Sequence, residues 1–152
     1  MARSAALTAL ACAYALASLA GCATGPKGPS DEEFVMQQVQ AFVDDFLAGN
    51  VDNILGYVSE DFSHERVPDK ASLAGYIQMG KESGQVEQIP QMIEEHDGRI
   101  DLEMAEVVVE GDTASVYPIE ASADAGSVTV EMVYKKDPDG VWRILALNIE
   151  GI

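Results

Sequence analysis

Cysteine is nearly absent: Cys12 and Cys22 are the only two, and none follows residue 22. A domain built from the rest of the chain has no disulfide to draw on and must rely on a packed core. Cationic residues are scarce as well, with 9 Lys and Arg against 26 Asp and Glu and a formal charge of −17. Such a surface makes nucleic acid and anionic lipid headgroups poor partners. A cationic partner is compatible with it, although acidic surfaces most often serve solubility alone. Also missing are a phosphate-binding loop, a dinucleotide fingerprint and a nucleophile motif; the paired glycines of "GYIQMG" have neither the spacing nor the strand context. No helical His pair and no EF-hand spacing occurs, so no metal and no cofactor is expected.

One apolar run stands out. Met1 to Ser4 carry a single cation, Arg3, and Ala5 to Ala20 are almost wholly small or apolar, interrupted by Thr8 and Ser18. At about 1.5 Å per residue this run spans about 24 Å of a hydrocarbon core about 30 Å thick, which suits a secretory signal better than a lasting membrane span. It ends in Leu19, Ala20, Gly21 and Cys22, which resembles the bacterial lipoprotein lipobox. The resemblance implies cleavage before Cys22, a diacylglycerol on its sulfur and an acylated amino terminus. Because Ala23 and not Asp follows, it also implies the outer membrane of a Gram-negative envelope, facing the periplasm. Each buried methylene contributes about 0.8 kcal/mol, so several acyl chains make a durable membrane anchor. An ordinary cleaved signal that leaves Cys22 as a plain thiol is the competing reading. Loss of residues 1–21 removes Arg3 and no acid, which leaves the remainder one charge more negative than the whole chain.

Behind Cys22 runs "ATGPKGPS", a Gly, Pro and Ser tether of about 25 Å when extended. The expected division is a signal over 1–21, a lipidated cysteine and tether over 22–30, and one domain over 31–152. Ser30 and Glu33 form a capping box, and Val35, Val39, Phe42, Val43 and Phe46 follow helical spacing up to Gly49. Asn50 is placed to cap a shorter helix striped by Val51, Ile54, Leu55 and Val58. "SHERV" reads as a short strand. Asp69 is placed to cap a third helix, with Leu73, Tyr76 and Ile77 on one face. Beyond Ile100 the period falls to two, and four strands are predicted: 100–109, 113–121, 127–135 and 141–150. "EGD", "SADAG" and "DPDG" supply the turns between them. Helices first and an antiparallel meander afterwards make an α+β fold.

"FVDDFLAGNVDNILGYVSEDF", "VVVEGDTASVYP" and "YKKDPDGVWRILALNIEG" resemble the opening helices, the central hairpin and the closing hairpin of the nuclear transport factor 2-like superfamily. The likeness implies a cystatin-like cone, in which N-terminal helices pack on a strongly bent antiparallel sheet around a pocket. That superfamily includes ketosteroid isomerases, dehydratases and polyketide cyclases beside proteins that only bind or assemble, so it does not fix a reaction. Pro118 would interrupt a flat ladder and calls for a bulge or an edge position.

Four residues are candidates for ligand contact: His64, Tyr76, Tyr117 and Trp142. Each has a plainer reading, since a lone His is most often structural and Tyr and Trp most often fill a core or rim. The last strand is expected to alternate Trp142, Ile144, Ala146, Asn148 and Glu150 against Val141, Arg143, Leu145, Leu147 and Ile149. "EEHD", residues 94–97, reads as a solvated loop and "DPDG" as a turn. The combined expectation is an anchored lipoprotein whose pocket binds a small apolar or amphipathic ligand, or a protein partner, without catalysis. Its rival is an isomerase, dehydratase or cyclase with His64 or Asp61 as base and a Tyr hydroxyl as donor. A homodimer through the outer sheet face is a further expectation of the resemblance, although Thr129, Glu131, Val133 and Lys135 form no apolar patch there.

Overall fold

Ser30 opens the first helix in the way its spacing to Glu33 requires. In the computed structural model, which describes residues 28–151, the Glu33 amide donates to Ser30 Oγ at 3.2 Å and the Ser30 amide donates to Glu33 Oε2 at 2.8 Å. The helix, α1, runs Asp31–Leu47 and buries Val35, Val39 and Val43 along one stripe. Gly49 turns the chain at φ +73, and α2 follows over Val51–Ile54 with a 3-10 turn behind it. Asn50 sits at the start of α2, but its side chain makes no cap bond. It donates instead to Asp45, as do Asn53 and the Tyr57 hydroxyl, so that one carboxylate ties α1 to α2. Those donors, Tyr57 foremost, hold the Asp45 carboxyl below its ordinary range.

Helix α3 spans Lys70–Glu82 and is capped by Asp69, whose Oδ1 accepts from the Ser72 amide at 2.7 Å. A further helix, α4, occupies Ile89–Glu95 and admits Pro90 because the first turn has no use for its missing N–H. The expected loop "EEHD" is therefore corrected: Glu94 and Glu95 are helical, His96 ends the helix, and only Asp97 is left to turn the chain.

Five strands form one antiparallel sheet: β1 Arg99–Asp101, β2 Glu106–Glu110, β3 Thr113–Ala123, β4 Gly126–Lys136 and β5 Trp142–Glu150. Both β1 and β2 pair with β3, since a turn at Leu102–Ala105 divides what reads as one run. "SHERV" is not a strand of the sheet but a tight turn, closed by backbone bonds between His64 and Val67. Ahead of it the chain runs along the free side of β5, with Ser59 and Ser63 donating to the carbonyls of Ile144 and Leu145.

Two irregularities bend the sheet. The register of β3 slips between Val116 and Ile119, so Tyr117 and Pro118 together face Glu131, and this bulge accommodates the proline. In β5 the slip places Leu145 as the extra residue between Ile144, paired with Tyr134, and Ala146, paired with Val133. The buried core of α1 (Val35, Val39, Val43) packs against Val116, Ile119, Met132, Tyr134, Trp142 and Ile144 from the concave face. The architecture is α+β, with helices on a strongly bent antiparallel sheet. Residues 1–27, including the lipobox-like motif and Cys22, lie outside the described residues. Among the described helices none is long and apolar enough to cross a membrane.

Candidate functional site

The wall of the main cavity is drawn from every layer that the fold brings together. Phe42 and Phe46 come from the last turns of α1, Val51 and Ile54 from α2, and Val58, Phe62 and Val67 from the connection that follows. Leu73, Tyr76 and Ile77 share a face of α3, as their spacing predicts, and β5 adds Ile144, Leu147 and Ile149. The cavity measures about 810 Å³ and, among the described residues, is lined without a single Asp, Glu, Lys or Arg. That volume lies in the range of small-molecule sites. The rim is apolar too: Tyr76 is 55%, Met92 52% and Ile149 58% exposed, an unusual share for such side chains.

Helix α4 closes one side through Ile89 and Met92, together with Val86 of the 3-10 turn that leads into it, and sequence reasoning missed all three. Their three-residue spacing was a readable signal, obscured by Pro90 in its midst. Leu147 and Ile149 were assigned to the opposite face from Ile144, and the bulge at Leu145 corrects this by bringing all three to the cavity.

The four candidate ligand residues separate. His64 and Tyr76 stand on the cavity wall. Tyr117 projects from β3 beside Glu106, is 46% exposed and takes no part in the wall. Trp142 is buried in the core beneath α1, where its indole N–H donates to Asp31 Oδ1 at 2.9 Å. Lys136 donates to the same carboxylate and lies 5.5 Å from the Trp142 ring centroid. The indole bond and then the lysine hold Asp31 below its ordinary range. Asp61, the other candidate base, is also off the wall and is bound by Lys135.

His64 is half-buried, and its ring is oriented by the turn that bears it. The Arg66 amide donates to His64 Nδ1 at 3.1 Å. An amide can only donate, so Nδ1 keeps its lone pair and the neutral ring carries its proton on Nε2.

The remaining polar clusters serve the scaffold. His96 Nδ1 lies 3.1 Å from Asp124 Oδ2, which joins the end of α4 to the β3–β4 hairpin and raises the His96 pKa. The contribution of a raised imidazole is complete below its unfolded value and fades as pH rises through the folded one; with both side chains more than half exposed, it is small. In "DPDG", Asp137 and Asp139 both receive Arg143, whose pKa they raise, and Gly140 takes the positive φ of the turn. Among the described residues no group of three or more His, Cys, Asp or Glu is disposed to hold a metal.

No protein-family model and no curated protein matches the chain. Solved structures do. A nuclear transport factor 2-like protein with a cystatin-like fold from Novosphingobium aromaticivorans is similar with a TM-score of 0.54 and 16% identity over 78% of this chain and 80% of its own. For a putative ketosteroid isomerase from Parabacteroides distasonis the values are 0.57 and 15% over 81% and 89%. For the S. rosetta CaMKII hub they are 0.54 and 14% over 83% and 100%. The chain spans only 39% of a longer match, Bd1075 of Bdellovibrio bacteriovorus. Likeness at these identities establishes the fold and no activity. Residues 28–151 thus adopt the α+β cone of nuclear transport factor 2-like, cystatin-like proteins.

Proposed function

We propose that the protein is an envelope lipoprotein, anchored through Cys22, whose cone binds a small and mainly apolar molecule without transforming it. The observation that carries the binding is the cavity: about 810 Å³, open, and lined by aliphatic and aromatic side chains with no formal charge. The anchor is supported by "LAGC" directly behind an apolar run of signal length. Binding is favoured over proton transfer because a general base needs a free lone pair within reach of substrate. In neutral His64 the lone pair on Nδ1 is already taken by the Arg66 amide, and among the described residues no carboxylate reaches the wall.

Native mass spectrometry of the protein released from its own envelope tests both halves. The expected result is lipid mass on a chain that begins at Cys22, together with a small-molecule adduct that is lost on denaturation. A chain from Cys22 with no added lipid mass overturns the anchor. Failure of any apolar compound to bind the purified protein overturns the ligand.

A further inference from the structure

The lining that makes the cavity apolar also restricts what the polar end of a ligand can be. Apart from His64, the polar side chains on the wall are Tyr76, Gln85 and Gln88. Gln85 and Gln88 are both exposed, and Gln88 spends one of its two amide N–H donors on the Gly84 carbonyl at 2.9 Å. Tyr76 is more than half exposed at the rim. His64 differs from them because its donor is fixed in position: the 64–67 turn is closed by two backbone bonds of 3.1 Å, and Arg66 holds Nδ1 as an acceptor. The ring nitrogen left over, Nε2, presents an N–H. A hydrogen-bond acceptor on the ligand satisfies it, whereas a second donor does not.

The charge of that acceptor follows from the surroundings. Among the described residues every Lys and Arg except Arg66 stands in an ion pair, and none lines the cavity. A carboxylate or phosphate entering here would lose water without meeting a cation on the described wall, inside a protein of formal charge −17. A ketone, ester or amide oxygen accepts the same bond at far smaller desolvation cost.

Resting on the binding function proposed above, we infer that the ligand is a neutral molecule with an apolar body and a carbonyl-type acceptor that receives the His64 Nε2–H. The test uses three compounds with one phenylalkyl body: hexanophenone, which carries a neutral carbonyl, hexylbenzene, which has no polar atom, and phenylhexanoate, an anion. Their affinities are read by displacement of Nile red. Phenylhexanoate is expected to bind most weakly of the three. In His64→Leu the ratio of hexanophenone to hexylbenzene affinity falls about fivefold, the measure of one lost neutral hydrogen bond. His64→Gln, which keeps a donor near the position of Nε2, recovers part of that ratio.

An unchanged ratio in His64→Leu, or tightest binding by phenylhexanoate, overturns the inference and leaves an apolar-ligand function standing. Binding by none of the three overturns both. Should His64→Leu fail to fold, the Nε2 proton resonance of the unaltered protein decides instead. It shifts with hexanophenone and not with hexylbenzene if the inference holds, and equally with both if it does not.

Discussion

Trp142 and Tyr134 are the two largest side chains sealed into the core, and they differ in how their polar ends are satisfied. The Trp142 N–H reaches a carboxylate that also holds Lys136, while the Tyr134 hydroxyl has only the Met132 sulfur, at 3.7 Å. Burial raises the Tyr134 pKa, so the phenol stays neutral. Replacing Tyr134 by Phe is expected to change stability by less than about 1 kcal/mol, because a thioether is a weak acceptor. Trp142→Phe should cost about 2 kcal/mol, since it removes the indole donor and leaves space beneath α1. Urea unfolding of the two variants checks the contrast. Asp31 adds a pH dependence. Its folded pKa is depressed below the ordinary 3.8, chiefly by Trp142 and then Lys136, so its contribution is present above 3.8 and is lost as pH falls through the lower folded value. Asp31→Asn should therefore lose less stability than the unaltered protein between about pH 5 and about pH 2, measured as urea midpoints.

At the scale of elements, caps and turns decide where helices begin and how they meet. Ser30→Ala removes an acceptor from the first turn of α1 and should cost about 1 kcal/mol, read by thermal or urea unfolding. Gly49→Ala is expected to cost about 1–2 kcal/mol for its left-handed backbone alone. The added Cβ would also lie 3.1 Å from Pro90 Cδ and Cγ, pushing on α4 and with it Ile89 and Met92 of the cavity wall. Nile red affinity should fall in this variant even where the protein remains folded. The helices α1 and α3 were legible because their caps and apolar periods agree, and the hairpins because Gly stands at each turn. Helix α4 was not, as its seven residues carry less than two apolar repeats around a proline. The division of β1 from β2 was equally hidden, because the sequence alternates smoothly into the turn at Leu102–Ala105.

The whole molecule sets its charge against its shape. Its few described cations are nearly all committed to neighbouring acids, so the excess of carboxylates faces solvent and repels itself. Raising ionic strength from about 0.01 M to about 0.15 M shortens the screening length from about 30 Å to about 8 Å and should raise the melting temperature, readable by calorimetry. The cone and the place of Tyr76 on its wall could be approached from the sequence through the caps and apolar periods of the helices, whereas His64, expected on a short strand, reaches the wall from a tight turn. The placing of Tyr117 and Trp142 could not be approached, since an alternating strand does not announce which of its faces is inward.

That last difficulty is resolved in β5 by arithmetic. Up to Ile144 the inward positions are even, and after the supernumerary Leu145 they are odd, which is how Leu147 and Ile149 displace Asn148 and Glu150 from the cavity. The chemistry of the wall is thereby written in parity as much as in composition. Gain or loss of one bulge exchanges a greasy half-strand for a polar one without altering any side chain. Among homologues that share this cone, single-residue insertions and deletions in the closing strand would then be a shorter route to a new ligand class than any series of substitutions.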